Sequence, residues 1–277
     1  MSDVPREFVF TRYPGRQGIA WLAAAYQMFK AHRLAWVVLV LGYFLVLLMI
    51  RVVPWVGPYV MTVMKPVFAV GLLAAAWTQE RGGTPALRHL FQGFRANLWA
   101  LVGVGIFFVA GITMAVFASS LVDGGKLIDL LSTASTMTEE QLTAALSDRS
   151  LELGMLFSAL LSLPVVIATW WAPALVVFQD AGAGAALAAS LRAALANWKA
   201  LAVYGLAVFF YGGVVPGILI ALVALVVPPP AGQVIAIALL LPYSLFFAAT
   251  LHVSDYVSYR DVFHSGETLA PLTRGTT

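Results

Sequence analysis

Six apolar stretches, each close to twenty residues or longer, constrain this chain more than any other feature. The stretches are 34–53, 58–77, 98–117, 153–178, 201–227 and 234–252. A bilayer core about 30 Å thick needs roughly 20 apolar residues in helical form. The sequence therefore predicts an all-α polytopic membrane protein with six transmembrane helices. The fourth and fifth stretches exceed the minimum length, which predicts tilt, kinks or partial unwinding in them.

Composition supports a membrane protein over a soluble one. Hydrophobic residues make up 61% of the chain and charged residues only 10%, whereas soluble domains average about 45–50% and about 25%. The sequence contains no cysteine, which excludes disulfides, thiolate catalysis and thiolate metal sites. The net charge is +3, but the basic residues form no stripe beside aromatic residues, so we expect no nucleic-acid partner.

The distribution of Lys and Arg predicts the orientation, because cytosolic loops carry an excess of both. Four basic residues fall on the side predicted to be external: Arg51, Lys65, Lys126 and Arg149. The other twelve fall on the inner side: Arg6, Arg12, Arg16, Lys30, Arg33, Arg81, Arg88, Arg95, Arg192, Lys199, Arg260 and Arg274. The predicted organisation is a cytosolic segment 1–18, one membrane domain 19–252 with an outer loop 118–152, and a cytosolic tail 253–277.

A similar amphipathic stretch precedes three of the spans, beginning at Leu22, Leu87 and Leu187. The pattern predicts three hairpins of two spans, each preceded by an interfacial elbow helix that contacts anionic lipid headgroups. His32, Asn97 and Asn197 mark the three corners, and Thr84-Pro85 is a fitting start for the second elbow. The alternative is that any interfacial helix leading into a span has this appearance.

Five prolines lie inside the second, fourth, fifth and sixth apolar stretches, namely Pro66, Pro164, Pro173, Pro216 and Pro242. Proline removes a backbone hydrogen bond and kinks a helix, and broken helices line substrate cavities in transporters. These positions predict a cleft among kinked helices. Proline is also common in membrane helices, which is the alternative interpretation.

Lys65 lies inside the apolar stretch 58–77, and Arg51 lies at the end of the preceding stretch. One hypothesis is that both residues bind an anionic group such as a lipid phosphate, with Lys65 facing a cavity. The other is that the Lys65 stem extends so that its ammonium reaches the outer headgroups.

The sequence contains no GxSxG, HExxH, P-loop or Rossmann pattern, which predicts a protein that is not an enzyme and carries no cofactor. No Asp or Glu lies inside a predicted span, which disfavours an ion-coupled transporter. The four histidines (His32, His89, His252 and His264) are too scattered to predict a metal site. Trp170 and Trp171 are expected in the aromatic belt at the inner interface, and Ser190 has no evident base.

The outer loop 118–152 contains six acidic residues against Lys126 and Arg149. Thr138 and Gln141 form a capping-box pattern, with Met137 and Leu142 placed as a hydrophobic staple. A short helix from Glu139 to about Asp148 is predicted. The loop is either a site for a protein partner or a solvated loop helix.

Residues 171–175 (WAPAL), followed by 190–198 (SLRAALANW), resemble a family of uncharacterised multi-pass inner-membrane proteins of Gram-negative bacteria. The stretches 21–30 and 90–95 are similar to the same group. The resemblance implies a location in the inner membrane and no functional residues to carry over.

These features together predict a non-enzymatic inner-membrane protein that engages lipids or other amphiphiles through the cleft. The first alternative is a channel or permease for a small solute. The second is an accessory or scaffold subunit whose outer loop binds a protein partner.

Overall fold

The computed structural model describes residues 8–264, and the chain in this range is helical and contains no strand. Its α-helices are α1 (Gln17–Ala31), α2 (Arg33–Arg51), α3 (Gly57–Glu80), α4 (Leu98–Asp123), α5 (Lys126–Thr133), α6 (Glu139–Leu146), α7 (Arg149–Trp170), α8 (Ala172–Phe178), α9 (Ala183–Ala196), α10 (Trp198–Phe209), α11 (Val215–Val226) and α12 (Ala231–Phe263). Leu87–Arg95 and Ala134–Thr136 form 3-10 helices, and Phe210–Val214 forms a π-helix. Arg6 and Arg274 of the charge count lie outside the described residues.

Six helical stretches of the described chain are long and apolar enough to cross a membrane, which confirms the predicted number. They are Arg33–Arg51, Gly57–Glu80, Leu98–Asp123, Arg149–Phe178, Trp198–Val226 and Ala231–Phe263. The last one continues beyond His252 without interruption, because Val253, Tyr256 and Val257 pack into the bundle there. The grouping into three repeated units with elbows stays a prediction.

The two overlong spans contain the expected irregularities. In the fourth span the helix is interrupted at Trp171, where α7 ends and α8 begins. Pro173 contributes because it offers no backbone donor to the preceding turn. In the fifth span, α10 and α11 are joined by the π-helical turn Phe210–Val214. Such turns are rare and widen a helix locally by one residue.

A dense aromatic and polar core lies where α2 begins and α3 ends, which we call the basal end; the opposite end is the distal end. Trp21 and Trp171 are fully buried in this core, with their rings perpendicular at 6.4 Å. The Trp171 indole donates to the Ser258 hydroxyl at 3.1 Å. The prediction that Trp171 belongs to an aromatic belt is therefore wrong, because α1, α9 and α12 cover it.

The helix α1 is packed into this core by its apolar face. Leu22 and Phe29 are buried, as is Trp21, whereas Tyr26 is half-exposed and stacks on Phe29. Gly18 lies so close to α10 that a Cβ atom there would come within 2.2 Å of the Ala200 carbonyl oxygen. The apolar face predicted for this helix thus packs against other helices of the same chain.

The segment expected to form the second elbow is a 3-10 helix that begins at Leu87, so Thr84-Pro85 does not start it. Leu90 is buried, and a Cβ atom on Gly93 would come within 2.0 Å of the Val67 carbonyl oxygen. The segment therefore lies along the middle of α3, where a tighter helix brings the backbones into contact.

The loop beyond α4 forms a small distal subcluster. The capping box is confirmed: Gln141 N–H donates to Thr138 Oγ1 at 3.3 Å, and Thr138 N–H donates to Gln141 Oε1 at 3.0 Å. The helix that follows it ends at Leu146. Met137 and Leu142 pack on a cluster formed by Leu127, Leu130 and Leu151. The short helices are thereby held on α7.

Candidate functional site

Lys65 and Arg51 are both exposed on the surface of the helical bundle. Among residues 8–264, neither forms an ion pair with an acidic side chain. The carbonyl of Val63 lies against Gly105 of α4. Lys65 is two residues further along α3, about 200° around the helix, so it lies on the opposite side from this contact. The predicted binding of an anionic group by these residues stays a prediction.

The five predicted prolines occupy two kinds of position. Pro173 and Pro216 lie in the first turn of α8 and α11, directly after the interruption and the π-turn. Pro66, Pro164 and Pro242 lie inside continuous helices. Pro173 therefore accompanies a break between two α-helices, and Pro216 accompanies a change from π-helix to α-helix.

An apolar crevice separates α11 from the distal half of α12. Its volume is about 120 Å³. Its lining consists of apolar residues, glycine and one amide side chain: Ile220, Val223, Ala224, Val227, Pro229, Gly232, Gln233 and Ala236. A cleft was predicted among the kinked helices, but none of these residues could be identified from the sequence, because lipid-exposed and crevice-lining positions are equally apolar.

A hydrogen bond joins the turn between α10 and α11 to the neighbouring part of α12. In the π-turn, Val215 N–H donates to the Phe210 carbonyl, five residues earlier. In the same register the donor for the Tyr211 carbonyl would be residue 216, which is proline and has no N–H. The Tyr243 hydroxyl, next to Pro242 in α12, donates to this carbonyl instead. The hydrogen bond thus joins the π-turn to the position in α12 where Pro242 interrupts the regular backbone hydrogen bonding.

A charged network at the basal end joins α1, α3 and α12. Glu80 accepts hydrogen bonds from the Tyr256 hydroxyl and the Arg260 guanidinium. Arg260 also donates to Asp261 at 3.0 Å, and the other oxygen of Asp261 accepts from the Trp21 indole at 3.2 Å. Because these charges are paired with one another, the network holds helices together rather than presenting a free acid or base.

The predicted corner residues differ in what they bind. Asn97 caps α4 by accepting from Ala100 N–H at 3.2 Å. Asn197 is buried and holds the N-terminal segment: it accepts from Tyr13 N–H at 2.8 Å and donates to the Thr11 carbonyl at 3.0 Å. His32 separates α1 from α2. Asn197 therefore attaches the N-terminal segment to the junction between α9 and α10.

Ser190 has a structural role at the interruption of the fourth span. Its hydroxyl donates to the Ile167 carbonyl at 3.2 Å and accepts from Trp171 N–H at 3.1 Å. These two backbone groups would pair with each other in an unbroken helix. The Ser190 hydroxyl thus bridges the two backbone groups, and its hydrogen is engaged in the bond to the Ile167 carbonyl.

A small cavity with both polar and apolar lining residues lies between α3, the α7–α8 break and α12. It has a volume of about 30 Å³ and is lined in part by Trp170, His252 and Asp255. His252 Nδ1 and Asp255 Oδ2 are 3.7 Å apart. The sixth span was predicted to end at His252, which left Asp255 outside it. His252 and Asp255 are three residues apart, and this spacing places two side chains on the same face of a helix, so the pair could have been found in the sequence.

Part of the negative charge of the outer loop is neutralised by a lysine of the same loop. Lys126 Nζ lies 2.6 Å from Asp148 Oδ2, and this ammonium is the main reason that the pKa of the Asp148 carboxyl is lowered. The hydroxyl of Ser150 acts in the same direction. No group of three or more His, Cys, Asp or Glu within residues 8–264 is arranged to hold a metal ion. The predicted protein partner of the loop stays a prediction.

Comparison with known proteins supports the location. The chain is 28% identical over 265 residues to a protein of Burkholderia thailandensis named a probable inner membrane protein, covering 94% of this chain and 96% of the other. No established protein-family profile matches the chain, and no solved structure is significantly similar to it. The similarity confirms the resemblance to inner-membrane proteins. With its six apolar helices, the chain is a multi-pass protein of the inner membrane.

Proposed function

We propose that this protein holds a lipid or another amphiphile at the distal end of its helical bundle. The observation that carries the proposal is the apolar crevice between α11 and α12, whose lining is hydrocarbon apart from Gln233. A crevice of this volume suits a stretch of acyl chain and offers few groups to a polar solute.

Exposed cations supply the second part of an amphiphile site. Arg51 ends α2 at the distal end, and Lys65 lies in the distal half of α3. Neither has an acidic partner among the described residues, so both are available to a phosphate. We expect the acyl chain in the crevice and the phosphate near these two side chains.

Exposure of the α11–α12 hairpin also supports the proposal. No position in the apolar part of Trp198–Val226 is buried inside the bundle. In α12, Ile237 and Leu241 are largely exposed on the distal side of Pro242. Lipid is the natural solvent for such a surface.

The test measures phospholipid that remains with the protein after purification in mild detergent. Ala236→Phe fills the crevice, and Ala238→Phe is the matched control because that residue is exposed on the same helix and does not line the crevice. Lys65→Ala removes one cation, with Lys199→Ala as its control. We expect lipid per protein to fall in Ala236→Phe and Lys65→Ala and to stay unchanged in the two controls.

The other outcomes identify the alternatives. Unchanged lipid content in both test variants would refute the proposal. Solute flux through liposomes that contain the pure protein, without bound lipid, would favour a channel or permease. A stoichiometric partner that is lost on deletion of residues 135–150 would favour an accessory subunit.

We further propose that the basal end faces the cytoplasm. Three pairs of a cation over an aromatic ring at this end support this orientation. Lys30 Nζ lies 5.0 Å from the Tyr26 ring and Arg81 lies 5.0 Å from the Trp77 ring, and Lys199 lies over Trp198 at 5.7 Å. Such pairs suit an anionic cytoplasmic leaflet. Alkaline phosphatase fused after Thr277 should be inactive in intact cells, and an active fusion would reverse the orientation.

A further inference from the structure

The strongest feature outside the proposed amphiphile site is an orphan hydrogen-bond donor. The Nε1 atom of Trp170 is buried, and no described residue accepts a hydrogen bond from it. An unpaired buried donor costs free energy, so each one in a folded protein calls for an explanation. Trp170 also lines the small cavity that His252 and Asp255 line from α12.

The chemistry of the lining selects the occupant. To bridge the two groups, the molecule must accept a hydrogen bond from the Trp170 indole N–H and donate one to the Asp255 carboxylate. Ammonium and metal ions cannot accept from an N–H group, and chloride cannot donate and is repelled by a carboxylate. Water does both.

The size of the cavity agrees with this selection. Its volume is about 30 Å³, and a site needs about 10–15 Å³ to hold one water molecule. A buried water also needs two to four polar partners. Trp170, His252 and Asp255 supply three. An apolar cavity would stay dry, but this one is polar on the α12 side.

We infer that the cavity is a hydration site in which one or two water molecules connect Trp170 of α7 to His252 and Asp255 of α12. The water extends hydrogen bonding across an interface whose other lining residues are apolar, namely Ala69, Leu72, Leu73, Pro173 and Ala174. The Asp255 side chain is 42% exposed, so this site lies at the edge of the bundle. Tyr43 contacts the His252 ring edge-on at 5.2 Å.

A proton-detected spectrum of the indole groups in lipid nanodiscs tests the inference on the unaltered protein. We expect a cross-peak from the Trp170 N–H to water. The control is Trp77, whose Nε1 atom is likewise buried without a described partner but does not line the cavity. A Trp170 signal without contact to water would overturn the inference.

A double-mutant cycle tests the bridge itself. Trp170→Phe and Asp255→Ala each remove one end of it, and the structure shows no direct hydrogen bond between the two side chains. We expect the double variant to lower the midpoint of thermal unfolding by less than the sum of the single variants. Additive shifts would overturn the bridge. Trp170→Phe should also be less stable than Trp77→Phe, because a dry Trp170 would gain from losing its unpaired donor.

Discussion

The hydroxyl of Tyr243 in α12 donates a hydrogen bond to the main-chain carbonyl of Tyr211 in the π-turn between α10 and α11. The carbonyl needs this donor because residue 216, its partner in the π register, is proline. A backbone acceptor left unpaired in lipid is costly. One side chain therefore compensates for the irregularity of a neighbouring helix.

Replacing Tyr243 with Phe removes this donor and leaves the carbonyl unpaired. We expect the free energy of unfolding to fall by about 1 kcal/mol, the usual size for a hydrogen bond between membrane helices. Thermal unfolding in detergent measures it. Tyr211→Phe is the matched control, because it keeps the main-chain carbonyl. Equal midpoints for the two variants would contradict the assigned role.

Ser190→Ala tests the interruption of the fourth span. The change removes the hydroxyl that separates the Ile167 carbonyl from Trp171 N–H. We expect a loss of about 1–2 kcal/mol, because both backbone groups lose a partner in a buried place. Ser162→Ala is the control, since that hydroxyl donates to the Ser158 carbonyl of its own helix. A loss no greater than that of the control would remove Ser190 from this role.

The spans were predictable because their signal is local. A run of apolar residues reports the length of a helix in lipid without reference to its neighbours. The capping box of Thr138 and Gln141 was predictable for the same reason. The amide partners of Asn197 and the donor for the Tyr211 carbonyl lie far away in the chain, and no local pattern contains them.

The candidate sites were less predictable than the fold. Counting charges within the apolar stretches drew attention to Lys65, which is exposed, and away from Asp255, which lies three residues beyond the predicted end of a span. The helix continues past that end because α1 and α3 supply partners for its polar side chains. Membrane hydropathy does not register such packing.

Asn197→Ala tests how the N-terminal segment is held. The change leaves Tyr13 N–H and the Thr11 carbonyl without their side-chain partner. We expect a loss of about 2 kcal/mol or more and faster hydrogen exchange at the Tyr13 amide. Asn97→Ala removes only a helix cap, so it should cost about 1 kcal/mol and leave that exchange rate unchanged. Unaltered exchange in Asn197→Ala would contradict the contact.

His89 predicts how stability depends on pH. Burial lowers the pKa of His89, and the nearby charge of Arg88 acts in the same direction, while a hydrogen bond to Ala86 opposes them. The unfolded chain, with a pKa of about 6.5, therefore takes up the proton before the folded chain does. The contribution of His89 to stability is complete above the unfolded pKa and is lost as the pH falls through the lower folded value.

We expect the midpoint of thermal unfolding to decrease when the pH is lowered from about 7.5 to about 5.5, and to decrease less in His89→Gln. The comparison with the variant is needed because carboxylates add their own dependence at lower pH. His32→Gln, at the corner between α1 and α2, is the control and should keep the full dependence. Parallel pH profiles for the native chain and His89→Gln would show that the buried imidazole does not carry this effect.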